Sequence, residues 1–218
     1  MRGMGEPLKI AVLASGEGTN LQAIIDAIRE GRLKAEIRAV VSNNSGSGAL
    51  RRARKEGLFG FHLSQKQFAA PEEFDEKLLQ ILQERGVELV CLAGYMKLLS
   101  PKVISAYRNR ILNIHPALLP SFGGRGMYGQ RVHQAVIEYG VKLTGVTVHI
   151  VDEQYDHGPI VLQSAVPVLE EDDAESLSQR VLQVEHQLYP AAIALFAQGK
   201  VKVEGRKVRI AGRRVNGG

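Results

Sequence analysis

With 218 residues and 44% hydrophobic content the chain can bury one sizeable core, and it contains no apolar run near the length that a membrane helix needs. The start, MRGMGEPLKIAVLAS, is too short in its apolar part and too glycine-rich for a secretory signal, and the single cysteine, Cys91, cannot pair within the chain; both fit a cytoplasmic protein. The net charge of +5 belongs to the tail: Lys200, Lys202, Arg206, Lys207, Arg209, Arg213 and Arg214 against Glu204 give +6, so residues 1–199 sum to −1 and do not form a polyanion-binding body.

Short apolar runs alternating with helical patterns predict an α/β fold, Rossmann-like, with a mostly parallel twisted sheet and helices on both faces. The first strand is LKIAVLA (8–14). A glycine loop then opens a helix with Leu21, Ile24, Ile25 and Ile28 on one face, ended by Gly31 as a left-handed cap. AEIRAVVS (35–42) and GFHL (60–63) are the next strands, followed by a helix behind Pro71 that carries Phe74, Leu78, Ile81 and Leu82. ELVCLA (88–93), ILNIH (111–115), TGVTVHIV (144–151) and IVLQSAV (160–166) complete the strands. A long helix over about 174–198 sets Leu177, Val181, Val184 and Leu188 in register, with a kink expected at Pro190. The tail VKVEGRKVRIAG alternates apolar and basic residues around Glu204-Gly205, the pattern of a small exposed basic hairpin, read as a solvated ribbon.

Open sheets of this kind bind ligands outside the carboxyl ends of their strands. The loop SGEGTNLQAII (15–25) lies at such an end, where free backbone N–H groups and the helix dipole make an anion site of Gly16, Gly18, Thr19 and Asn20. Leu21 in the third glycine position, and Ser42-Asn43-Asn44 where an acid would stand, argue against a dinucleotide; the lack of Lys-Ser or Lys-Thr after the glycines excludes a Walker A loop. A monophosphate cradle and an ordinary strand-to-helix turn remain as the two readings.

The strand ILNIHPALLP raises a sharper question, because Asn113 and His115 interrupt a buried apolar run. An isolated histidine there reads as a packed core residue. Asn113, however, shares a face with His115, Pro116 sets the imidazole at the strand's rim, and VDEQYDHGPIV (151–161) brings Asp156 to the end of another strand. An amide, an imidazole and a carboxylate so placed form an acid/base and oxyanion constellation. The histidines His62, His115, His133, His149, His157 and His186 show no metal-ligand spacing, so no metal is expected, and His149 is expected to pack in the sheet. Cys91 lies inside an apolar strand and no G-x-S-x-G elbow occurs, which points away from covalent catalysis.

In this order, ASGEGTNLQAII, LAGYMKLLSP, ILNIHPALLPSF, TGVTVHIVDEQYDHGPIVLQ and VEHQLYP resemble the phosphoribosylglycinamide formyltransferase family, folate-dependent enzymes of purine biosynthesis, over roughly residues 8–199. The resemblance implies transfer of the formyl group of 10-formyltetrahydrofolate to the amine of glycinamide ribonucleotide, with no metal. It implies Asn113, His115 and Asp156 as the catalytic three; Gly16, Gly18, Thr19, Asn20 and Glu185 at the ribonucleotide; and Met96, Lys97, Leu98, Leu99, Asn113, Asp152, Glu153, Gln154, Tyr155 and Asp156 at the folate. A catalytic domain over 1–199 would then divide into a phosphate-binding half at about 1–100 and a folate half at about 101–199, before a basic tail at 200–218. Small molecules are the expected partners, without nucleic acid or membrane, for a monomer or homodimer. Asp156 is expected to favour the imidazolium form of His115 and so raise its pKa, and to relay a proton through water.

Two departures from the family pattern stand out. Gly123-Gly124 replaces the usual Pro-Gly, which predicts a more flexible loop, and QKQFAAPEE lacks an arginine that relatives place near the folate, so that either Lys66 substitutes or the contact is absent. Formyltetrahydrofolate hydrolase and methionyl-tRNA formyltransferase share the Asn-x-His strand, but each would be expected to carry a further domain. A non-catalytic nucleotide- or RNA-binding module would explain the glycine loop and tail while leaving Asn113, His115 and Asp156 without a task.

Overall fold

The computed structural model describes residues 6–212. Seven strands form one sheet: β1 (Leu8–Leu13), β2 (Ala35–Ser42), β3 (Gly60–His62), β4 (Leu89–Leu92), β5 (Ile111–His115), β6 (Leu143–Ile150) and β7 (Ile160–Pro167), in the order β3-β2-β1-β4-β5-β6-β7. The first five run parallel, and β6 and β7 add antiparallel. Every expected strand is present, and no end moves by more than one residue.

Alternation along the strands divides the core in two. Leu8, Ile10, Val12 and Ala14 face one side of the sheet while Ala11 and Leu13 face the other, as the two-residue period requires. On the first side lie α1 (Thr19–Arg29), α2 (Gly48–Lys55), α5 (Gln130–Tyr139) and α6 (Ala174–Ala197); on the second lie α3 (Pro71–Glu84) and α4 (Pro101–Ala106). Gly31 takes φ +72° just past the end of α1, as its position predicts. The last helix runs through Pro190 as one element, with that proline buried. From α6 the hydroxyl of Tyr189 reaches the carbonyls of Leu92 at 2.9 Å and Leu112 at 3.1 Å, tying the helix to β4 and β5 at the middle of the sheet.

The tail forms a hairpin of β8 (Val201–Glu204) and β9 (Lys207–Ile210). Glu204 pairs with Lys207, so the turn is Gly205-Arg206, one residue later than the sequence suggested. The reading as a solvated ribbon is corrected: Val203 and Val208 pack on the main core and β9 lies against β7, leaving only the charged face to water. Arg213 and Arg214 lie outside the described residues.

Candidate active site

A cleft of about 520 Å³ opens at the carboxyl ends of β1, β4 and β5, a size suited to a small molecule. Asn113 and His115 continue the face of β5 on which Ile111 is packed, and β6 lies antiparallel beside them with His149 directly opposite Asn113. The third group arrives on the loop between β6 and β7. That loop is tight: a side chain at Gly158 would strike the Ile150 carbonyl, and Asp156 itself takes φ +50°, a left-handed conformation that costs a non-glycine residue about 1–2 kcal/mol.

Hydrogen bonds to its carboxylate offset that strain. Asp156 Oδ2 accepts from Gly124 N–H at 2.9 Å and lies 3.5 Å from His115 Nδ1; Oδ1 lies 3.4 Å from Asn113 Nδ2 and 3.7 Å from His149 Nε2. Asn113 Nδ2 is also 3.1 Å from His149 Nε2, whose other nitrogen faces the Ile150 carbonyl at 3.0 Å. His149 Nε2 therefore stands between the Asn113 amide and the Asp156 carboxylate, within reach of both. His115 Nε2 meets the Phe122 carbonyl at 2.8 Å.

Two opposed effects act on these groups. Burial lowers the His115 pKa from its ordinary 6.5, and the Asp156 charge and the Phe122 carbonyl, which push it up, do not overcome that. The expected rise is therefore corrected: His115 is neutral in the resting site because desolvation of the imidazolium outweighs its pairing. Asp156 behaves the other way, since burial pushes its carboxyl up but His149, His115 and the Gly124 N–H together bring it below its usual 3.8.

In the Gly123-Gly124 loop a Cβ on Gly123 would come within 2.4 Å of Leu119 Cδ2, the preceding Phe122 ring meets Tyr139 edge-on with centroids 5.8 Å apart, and Gly124 N–H bonds Asp156.

Across the cleft, Asn20 and Glu185 are buried together, Asn20 Nδ2 donating to Glu185 Oε2 at 2.7 Å. Burial pushes the Glu185 carboxyl up to about 7 against the lowering effect of that bond. Glu185 lies four residues before Tyr189 on α6, so both side chains share one face of that helix. Gly18 is buried at φ +72° beneath α2, where a Cβ would stand 2.7 Å from Ala49 Cα; Gly16 is open. Thr19 opens α1 but lines a neighbouring depression with Gln22 and Arg52. The helix start has no side-chain cap, leaving its first N–H groups to other partners.

Met96, Lys97, Leu98 and Leu99 all line the cleft ahead of α4, the first three exposed and Leu99 packed into the core. Of the loop after β6, Gln154, Tyr155 and Asp156 face inward. Asp152 turns instead to His157, and Glu153 to Arg108. Lys66 is exposed on a 3-10 turn (Gln65–Gln67) and is not among the lining residues. Sequence reasoning missed two members, His149 and His133. His149 packs in the sheet as expected yet also turns its ring to the polar cluster, and only strand pairing could have shown this. His133 lines the wall from α5, with its Nδ1 buried and unpartnered and its pKa pushed down to about 4 by burial and the nearby His115. Burial raises the Cys91 thiol far above its usual range, which removes it as a nucleophile.

The family profile described as formyl transferase matches residues 8–193. The chain is 38% identical to phosphoribosylglycinamide formyltransferase of Escherichia coli, covering 95% of this chain and 96% of that protein. It is 45% identical to the trifunctional purine biosynthetic protein adenosine-3 of Gallus gallus over 90% of its own length, but spans only 19% of that longer protein. Among solved structures, glycinamide ribonucleotide transformylase 1 from Symbiobacterium toebii superposes with a TM-score of 0.89 at 48% identity, covering 94% of this chain and 95% of that one.

Proposed function

The chain belongs to the formyltransferase family, and from that premise we propose that it moves the formyl group of 10-formyltetrahydrofolate onto the amine of glycinamide ribonucleotide, in the cytoplasm, as a step of purine synthesis. The observation that carries this reading is the meeting of Asn113, His115 and Asp156 at one wall of a cleft whose opposite wall holds the buried pair Asn20 and Glu185. The N-terminal half would take the ribonucleotide: the start of α1 and its glycine loop offer N–H groups to the phosphate, and Glu185 faces the same substrate. The folate would lie against Met96 and Leu98, at the end of the N-terminal half, and Tyr155 of the C-terminal half.

In the reaction the amine lone pair attacks the formyl carbon, the carbonyl π electrons move to oxygen, and collapse of the adduct expels the folate nitrogen. Asn113 and His115 stabilise the oxygen as its negative charge develops. Because burial keeps His115 neutral at rest, that new charge beside it favours proton uptake, which the Asp156 carboxylate supports. One proton must leave the attacking nitrogen and one must reach the leaving nitrogen; Asp156, ionised at neutral pH, is the group suited to carry it through water.

A spectrophotometric assay with 10-formyltetrahydrofolate, run with and without glycinamide ribonucleotide, tests the proposal. Loss of the formyl group that requires the acceptor is the expected result; acceptor-independent loss would identify a hydrolase, and no loss a binding protein.

A further inference from the structure

The basic hairpin lies beyond residues 8–193 and has no part in the chemistry above, yet its tip reaches the loop that carries Asp156. From the turn between β8 and β9, Arg206 donates Nη2–H to the His157 carbonyl at 2.7 Å and brings Nη1 to 3.1 Å from Nε2 of the same residue's ring. The other ring nitrogen, Nδ1, stands 2.7 Å from Asp152 Oδ2, and Asp152 Oδ1 accepts from the Gln154 N–H at 3.0 Å. The same Nη1 is 3.4 Å from Nδ1, so the guanidinium lies against the ring between its two nitrogens, and its directed hydrogen bond is the one to the His157 carbonyl. A chain of contacts from Arg206 through His157 and Asp152 to Gln154 thus spans the outer side of the loop.

The arginine has a fixed base. Val203 and Val208 anchor the hairpin on the core, and β9 lies against β7, the strand that follows this loop. On the inner side, the loop is held through Asp156 by Gly124 and Asn113, and it presents Gln154 and Tyr155 to the cleft. We infer that Arg206 is a positioning residue: it braces the 152–157 loop from outside, so that Gln154, Tyr155 and Asp156 hold the shape that receives the formyl donor. The inference rests on the formyl-transfer reading. Single exposed ion pairs contribute little, but a guanidinium engaging the carbonyl and the ring of one residue, itself backed by the Asp152 carboxylate, is geometrically specific.

Steady-state kinetics of the full chain test the brace. Arg206→Ala is expected to raise KM for 10-formyltetrahydrofolate by about 3- to 10-fold, with KM for glycinamide ribonucleotide within about twofold of the parent and amide hydrogen exchange over 152–158 accelerated. Arg206→Lys, which keeps a donor for the His157 carbonyl, recovers part of the loss. Arg209→Ala on the same hairpin, where the guanidinium pairs with Glu204 among the described residues, leaves both readouts at the parental level. Parental folate KM and parental loop exchange in Arg206→Ala would overturn the inference, as would equal changes in Arg209→Ala, which would mark the hairpin as a general support. Should the parent show no acceptor-dependent transfer, the formyl-transfer reading fails, and exchange over 152–158 still decides whether Arg206 braces the loop.

Discussion

The parallel and antiparallel halves of the sheet reach the cleft with different materials. At the end of β1 the chain presents small residues pressed beneath α2, and what it can offer a ligand is main-chain N–H groups and the start of a helix. At the ends of β5 and β6 it presents side chains, an amide, imidazoles and a carboxylate, most of them bonded to one another. The first site depends on how closely two backbones approach and tolerates no added bulk at Gly18. The second depends on charge and protonation, and tolerates changes of volume better than changes of chemistry.

The largest effect expected from that contrast is chemical. His115→Ala and Asn113→Ala should each lower kcat by about 10²- to 10³-fold or more, as removal of one oxyanion donor does elsewhere, while KM for the ribonucleotide stays within a few-fold and the thermal transition remains cooperative. Parental turnover in His115→Ala would remove the assignment.

The counterpart on the backbone side is structural. Gly18→Ala forces a side chain into left-handed φ and to within 2.7 Å of Ala49 Cα, so about 2–4 kcal/mol of stability should be lost, together with affinity for the ribonucleotide. Gly16→Ala meets nothing within 4 Å and should melt close to the parent. Equal thermal shifts in the two variants would refute the close-approach account.

Glu185 joins the two halves, and its effect is tied to pH. Its carboxyl titrates at about 7 in the fold against 4.5 for an ordinary glutamate, so between those values the unfolded chain releases the proton first and stability falls as pH rises. At about 1.4 kcal/mol per pH unit the loss is at most about 3 kcal/mol. Glu185→Gln should flatten that slope in denaturant titrations between pH 4.5 and 7 and weaken ribonucleotide binding; an unchanged slope would place the burial penalty elsewhere.

How much of this could be read from the sequence follows the same division. All seven strands were legible because short apolar runs bounded by turns, most of them rich in β-branched residues, leave a strong pattern; β3, with GFH, is the exception in composition. Helices α1, α3 and α6 were legible from their apolar faces. GALRRARK, by contrast, buries only the small residues Gly48, Ala49 and Ala53, so α2 lacks the face of large apolar side chains that marks the others, and α4 has six residues, too few to establish a period. Asn113, His115 and Asp156 stood out as polar residues at strand ends. His149 did not, because its approach to Asn113 arises from antiparallel pairing across 36 residues of chain. The protonation of His115 was misread for a related reason: a partner can be guessed from sequence, whereas the depth of burial that outweighs it is a property of the packed molecule.

That balance supplies the smallest and most discriminating test. Both His115 nitrogens face acceptors, the Phe122 carbonyl and Asp156, an arrangement that favours the imidazolium, and burial nevertheless holds the pKa below 6.5. Replacing Asp156 by Asn removes one of the forces pushing the pKa up, so in an NMR titration of the ring protons His115 of Asp156→Asn should titrate lower than in the parent, itself below 6.5. Because the folded pKa is depressed, His115 contributes stability that is fully present above 6.5 and is lost as pH falls through the folded value; the Asn variant should extend that loss to lower pH. A higher His115 pKa in Asp156→Asn would mean that the carboxylate acts on the imidazole mainly by excluding water from it, and the charge-based account of the antiparallel half would have to be abandoned.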